Sequence, residues 1–150
     1  MEMTGEQVIP LPQQETWNAL NDPAVLKDCI PGCESMERSG ENEYEVVLVA
    51  KVGPVSAKFK GRMTVTDADP PNAYTLKFEG QGGAAGFAKG QASVALSPQE
   101  GGTLLSYTAK ATIGGKLAQV GSRLVDGVAK KLAGEFFATF TERVSGKTGS

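Results

Sequence analysis

The sequence predicts an α+β fold: a curved antiparallel sheet of about seven strands wrapped around one long C-terminal helix, with two short helices after the first strand. Three observations predict it. Between Tyr44 and Ile113, apolar and polar residues alternate through successive stretches, the period of half-buried strands. From Gly115 to Val144 the period changes: Leu117, Val120, Leu124, Val128, Leu132, Phe136, Phe140 and Val144 recur almost always four apart, which is helical spacing. A sheet with one wet face needs a cover on the other, and this helix is the large cover the chain offers.

Met1 to Leu11 reads as an edge strand, ended by Pro10 and Pro12, which cannot continue a ladder. Gln13 to Leu20 is a short helix with Trp17 and Leu20 on one face. Asp22 caps a second short helix, Ala24 to Cys29, with Pro23 at its first position, where a missing N–H is tolerated. Pro31-Gly32 stops it. Cys33-Glu34 opens a strand that runs to a turn at Ser39-Gly40-Glu41-Asn42. On the next strand Tyr44, Val46, Leu48, Ala50 and Val52 share a face. After Gly53-Pro54, Val55, Ala57, Phe59, Gly61, Met63 and Val65 alternate with polar neighbours. Asp69-Pro70-Pro71-Asn72 is a turn. Tyr74, Leu76, Phe78 and Gly80 mark the following strand, and the Gly-rich hairpin Gly82 to Gly86 leads to Ala88, Gly90, Ala92, Val94 and Leu96. Leu105, Tyr107, Ala109, Ala111 and Ile113 complete the sheet before Gly114-Gly115 turns into the long helix. At roughly 1.5 Å per residue that helix runs about 40 Å.

The length of 150 residues suits one domain, expected over 1–144, followed by a flexible tail at 145–150. A net charge of −2 offers no electrostatic footprint for nucleic acid. No apolar run approaches the roughly 18 residues that span a bilayer, and no signal peptide precedes the first strand, so the chain is expected to be cytoplasmic. Histidine is absent, which excludes His-based triads, His general bases and most zinc sites. The two cysteines, Cys29 and Cys33, make no disulfide framework, and as zinc ligands they lack Cys or His partners. A structural role is expected of them rather than a redox one.

Function shows on the inward face. Ala50, Ala57, Gly61, Gly80, Ala88, Gly90, Ala92, Ala109 and Ala111 are small where a packed core wants larger side chains. They leave either close helix–sheet contact on bent strands or an empty apolar space. The second reading predicts a cavity lined by Leu48, Ala50, Phe59, Gly61, Met63, Leu76, Phe78, Gly90, Ala92, Val94, Tyr107 and Ala109 from the sheet, with Leu124, Val128 and Leu132 from the helix. Only the hydroxyls of Tyr44, Tyr74 and Tyr107 are polar among the inward positions of the later strands, and the charged residues alternate outward. That favours binding an apolar small molecule over catalysis, which needs an acid, base or metal in place.

Three further patterns carry less. Gly80 to Gly86 imitates a dinucleotide fingerprint, but it joins antiparallel strands instead of opening a helix in a βαβ unit. Gly114-Gly115-Lys116 precedes a helix and reads as a tight strand-to-helix turn before an anion site. Lys116, Arg123 and Lys130, spaced by seven and continued by Phe137, form an outer row: a solvated face, or a docking surface for a partner or anionic headgroups.

The layout resembles the helix-grip fold of the START-like (SRPBCC) superfamily. The residues resemble one branch of it, the CoxG-type family, named for the G subunit of carbon monoxide dehydrogenase. The similarity runs through Asn21-Asp22-Pro23, Cys29-Ile30-Pro31-Gly32-Cys33-Glu34, Val52-Gly53-Pro54-Val55, Gly86-Phe87-Ala88-Lys89-Gly90 and Gly114-Gly115-Lys116-Leu117-Ala118-Gln119-Val120-Gly121-Ser122-Arg123. The resemblance implies a non-enzymatic accessory protein for a molybdenum hydroxylase of the carbon monoxide dehydrogenase type. It implies a role in bringing that enzyme to the cytoplasmic face of the inner membrane through peripheral contact. No resident cofactor is expected, and an isoprenoid quinone or other lipid is the candidate for the cavity, since the enzyme's electrons must reach the respiratory chain. The alternatives are a ligand-free assembly or docking factor and, less in keeping with the apolar lining, a START-like cyclase or hydrolase.

Overall fold

The computed structural model describes the backbone of residues 1–149 and the side chains of residues 1–145. Strand β1 (Glu2–Ile9) is followed by helices α1 (Gln13–Leu20) and α2 (Pro23–Cys29). Strands β2 (Cys33–Gly40), β3 (Glu43–Val52), β4 (Val55–Asp69), β5 (Ala73–Gln81), β6 (Phe87–Gln99) and β7 (Gly102–Gly114) then follow, with a 3-10 turn at Gly83–Ala85 between β5 and β6. Helices α3 (Lys116–Gln119) and α4 (Ser122–Gly149) complete the chain. Most of the tail expected at 145–150 has side chains outside the described residues.

All seven strands form one antiparallel sheet in the order β1-β7-β6-β5-β4-β3-β2. The first and second strands therefore occupy opposite edges, and α1 with α2 bridges the distance between them. Cross-strand register places Leu48 opposite Phe59, Met63 opposite Phe78, Leu76 opposite Ala92 and Ala92 opposite Ala109, so the expected inward residues share one face. Asp22 caps α2 as expected: its carboxylate accepts a hydrogen bond from the Ala24 N–H at 2.9 Å, and Pro23 is the first helical residue.

The terminal helix differs from expectation. Instead of one helix from Gly115, a four-residue helix α3 ends at Gln119 and α4 restarts at Ser122. Gly121 makes the joint at φ +98°, a conformation that side chains with a Cβ resist. Its N–H closes α3 on the Ala118 carbonyl, and its carbonyl accepts the first bond of α4 from Val125. The restart resets the phase of α4 relative to α3. Val125 turns inward, while Leu124 is 39% exposed and lies over Gly53 in the β3–β4 turn.

The core is densest at one end. Phe140 (0% exposed) and Val144 sit in one cluster with Ile9, Trp17, Leu20, Leu26 and Cys29, where α4 meets α1, α2 and the start of the sheet. An ion pair between Arg143 and Asp28 joins α4 to α2 at the rim. At the other end, Leu117, Val125 and Val128 pack with Val52, Phe59 and Ala85 in a smaller cluster. Between these clusters α4 spans the concave face of the sheet without filling it.

Candidate functional site

The unfilled space between sheet and helix has two lobes. The larger, about 420 Å³, is bounded by Leu48, Ala50, Phe59, Gly61, Met63 and Phe78 from the sheet and by Leu117, Val125, Val128, Ala129 and Leu132 from the helices. The smaller, about 270 Å³, is bounded by Met63, Leu76, Ala92, Val94, Tyr107 and Ala109, with Tyr44, Tyr74, Asn21, Phe136 and Phe137. Ile30 and Met63 border both, so the lobes adjoin. Volumes of about 300–1,000 Å³ are usual for small-molecule sites. Arg62 and Glu79 border the larger lobe from outward strand positions, and the Arg62 guanidinium is engaged with Glu43 at 3.4 Å.

A groove of about 320 Å³ shares Ile30, Leu48, Ala50 and Leu132 with the larger lobe and continues past Pro31, Gly32 and Ala133. The β2–β3 pairing stops there, since the Val49 N–H bonds to the Gly32 carbonyl and the rest of β3 runs on as an edge. Val49 and Leu132, both more than a third exposed, flank this opening.

Thirteen of the fifteen expected lining residues stand on one lobe or the other, and two do not. Leu124 is turned outward because each four-residue step along α4 overshoots a turn by about 40°, which carries it away from the face that Phe136 and Phe140 bury. Gly90 is small for a different reason: a Cβ there would come within 2.8 Å of the Ala111 Cα on β7, so close strand approach excludes a side chain. Gly61 does line the larger lobe, but its Cβ would also meet backbone, 3.0 Å from the Gly80 Cα. In the outer row, Lys116, Arg123 and Lys130 are exposed, but Phe137 is not part of it. Phe137 is half-buried, stacks on Tyr107 with ring centroids 5.5 Å apart, and lines the smaller lobe. Reasoning from sequence missed Met1, Met3, Ile30, Val125, Ala129 and Phe136 as boundary residues. The alternation of β1 carried a signal for the two methionines.

The polar groups at the smaller lobe differ in their engagement. The Tyr44 hydroxyl accepts from Arg38 at 3.3 Å and donates to the Asn21 carbonyl at 3.4 Å. The Asn21 amide donates to the Trp17 carbonyl at 2.9 Å. Tyr74 packs edge-on against Trp17, centroids 5.2 Å apart, and burial raises its phenol above the ordinary tyrosine range.

Both cysteines are free, with Cys29 buried and Cys33 half-buried. Burial pushes both thiols above their ordinary value, which lowers the thiolate fraction that redox chemistry needs. Changing both to alanine is expected to lower stability by a few kcal/mol at most and to leave any bound molecule in place. Thermal melts with extraction of bound lipid check this, and lipid loss with an unchanged melt would contradict the structural role. Among the described residues, no group of three or more Cys, Asp or Glu converges on a metal position. Gly83–Ala85 joins antiparallel β5 and β6, as expected, and so makes no dinucleotide loop.

Residues 5–145 match the model of the CoxG family, described as the G subunit of carbon monoxide dehydrogenase. The chain belongs to that family. A protein of Geobacillus kaustophilus with a crystal structure is 35% identical, with 97% of this chain and 95% of that one covered at a TM-score of 0.90. More distant structures share the fold alone. A Thermus thermophilus protein is 18% identical over 98% of this chain and 99% of its own, with TM-score 0.72. A Chromobacterium violaceum protein is 13% identical over 93% and 94%, with TM-score 0.70. No curated protein sequence matches the chain. Among the described residues, no helix is long and apolar enough to cross a membrane.

Proposed function

We propose that this member of the CoxG family is a non-catalytic carrier. Its cavity would hold a lipid-like molecule, with an isoprenoid quinone as candidate, in the service of a molybdenum hydroxylase of the carbon monoxide dehydrogenase type. The observation that carries the reading is the pair of apolar lobes under α4, bounded almost entirely by aliphatic and aromatic side chains. Such a lining gains about 0.8 kcal/mol for each methylene taken from water. It offers little to a polar substrate. The groove at Val49 and Leu132 supplies an apolar route between the larger lobe and the surface. Family membership supports the partner, and a quinone would link that enzyme to the respiratory chain.

Mass spectrometry of organic extracts from the gently purified protein tests the carrier reading. A near-stoichiometric isoprenoid lipid is the expected result. A stable, well-folded protein that yields no lipid and takes up none from vesicles would overturn it in favour of a ligand-free docking factor.

Peripheral membrane or enzyme docking would use the three exposed cations Lys116, Arg123 and Lys130. Exchanging all three for glutamate is expected to weaken co-sedimentation with anionic vesicles, or pull-down of the enzyme. The loss should shrink as salt is raised, because exposed charges separated by more than about 10 Å are screened at 0.1 M. Equal binding of wild type and variant at low salt would remove the row from the account.

A further inference from the structure

Two hydroxyls at the smaller lobe, those of Tyr74 and Tyr107, make no hydrogen bond among the described residues, and Tyr74 is the more deeply buried. Tyr74 is only 7% exposed and lines the smaller lobe, yet its phenol makes no hydrogen bond among the described residues. Every fully enclosed side-chain nitrogen or oxygen among those residues has a partner. The Tyr74 oxygen, lacking one, is therefore not fully enclosed by protein, and its residue borders the lobe. Its neighbours cannot satisfy it in their present arrangement. Tyr44 and the Asn21 amide are engaged with Arg38, the Asn21 carbonyl and the Trp17 carbonyl. Tyr107 is half-buried and lays its hydroxyl over Gly5 on the edge strand β1. A buried donor left unpaired is unfavourable, and native structures leave few of them without a reason.

We infer that the smaller lobe receives the head of an amphipathic ligand, that the head is a neutral carbonyl accepting a hydrogen bond from Tyr74, and that the apolar remainder lies in the larger lobe. Three features select this chemistry. Burial keeps the phenol protonated, so it acts as a donor and the ligand must accept. Among the described residues, no Lys, Arg, Asp or Glu borders the smaller lobe, so a carboxylate or phosphate head would enter without a counter-charge. The two lobes adjoin at Ile30 and Met63, and the larger one shares Ile30, Leu48, Ala50 and Leu132 with the exposed groove, on which side the tail would lie. Quinones, ketones and esters fit. Fatty acids and phospholipid heads do not. The inference rests on the carrier reading above and adds to it the residue that holds the ligand's head and the direction in which the ligand lies.

The test uses the delipidated chain and isothermal titration with four probes whose tails have nine or ten carbons: a decyl-benzoquinone, methyl decanoate, decanoate and decane. Wild type is expected to bind the quinone and the ester more tightly than decanoate. Tyr74→Phe keeps the ring against Trp17 and is expected to melt no lower than wild type, because it removes a hydroxyl with no protein partner. It should weaken the quinone and ester roughly tenfold, the loss of one buried hydrogen bond, and leave decane unchanged. A ring-shaped head is supported if the quinone exceeds the ester, and a linear one if the order reverses. If decanoate binds as tightly as the ester, or Tyr74→Phe leaves the whole series unchanged while decane still binds, the head assignment is overturned and the apolar cavity stands. If none of the four binds wild type, the carrier reading itself fails.

Discussion

Phe140→Ala is expected to lower the unfolding free energy by about 3–5 kcal/mol, the range for truncating a fully buried aromatic. Phe140 has no exposed surface and stacks near-parallel on Phe136 with centroids 5.9 Å apart. It belongs to the cluster in which α4 meets Ile9, Trp17, Leu20 and Leu26. Closing the resulting cavity would require α4 to shift toward elements already held by the sheet and by α1, so relaxation recovers little. Domains of this size have about 5–15 kcal/mol in total, so the loss is a large fraction of it. Urea denaturation followed by circular dichroism measures it. Leu132→Ala on the same helix is the contrast: Leu132 is 37% exposed beside the groove, and its truncation is expected to lower stability by less than about 1 kcal/mol. Comparable losses for the two would mean that α4 is not anchored at its C-terminal half.

The reason for this asymmetry bears on function. A helix held tightly at Phe140 and Val144 and only by small residues and valines toward its start can stand off the sheet where the lobes lie. The anchor sets the height of the roof. The sequence alone pointed to the apolar stripe and its period, but spacing by four does not say which stretch of a stripe is packed and which spans a void.

Much of the fold was legible because the strands carry strict alternation. A period of two fixes faces whatever the tertiary details, so Leu48, Phe59, Met63, Leu76 and Ala92 came out on one side together, and the register joins them there. Asp22-Pro23 was legible for a local reason, since a cap and a first-turn proline act within a few residues. Gly121 was not. A glycine inside a helical pattern reads as a tolerated weak point, and nothing in its neighbours announces a positive φ. That dihedral shifts α4 in phase against Leu117 and Lys116, whereas within α4 the overshoot of about 40° at each four-residue step turns Leu124 outward, and stacking on Tyr107 accompanies the half-burial of Phe137. The missed Ile30 lies between a helix end and a Pro-Gly turn, where neither period applies.

The small residues of β6 separate two causes that look alike in sequence. Ala92 and Gly90 are two apart on one strand and one face. Ala92→Phe is expected to leave stability at or above the wild-type level and to abolish retention of lipid, because the added ring would enter the smaller lobe that Ala92 borders. Gly90→Ala adds only a methyl group, yet it should destabilise by about 1–3 kcal/mol, since that methyl meets the β7 backbone near Lys110 and Ala111. A larger addition with a smaller penalty is the signature of a real void. It cannot arise in a filled core, where Phe at position 92 would overpack Leu76 and Ala109, its cross-strand neighbours. Melts of delipidated protein give the stability order, and mass spectrometry of extracts gives ligand content. If Ala92→Phe melts well below Gly90→Ala, the space beneath α4 is occupied by protein atoms and the carrier reading falls with it.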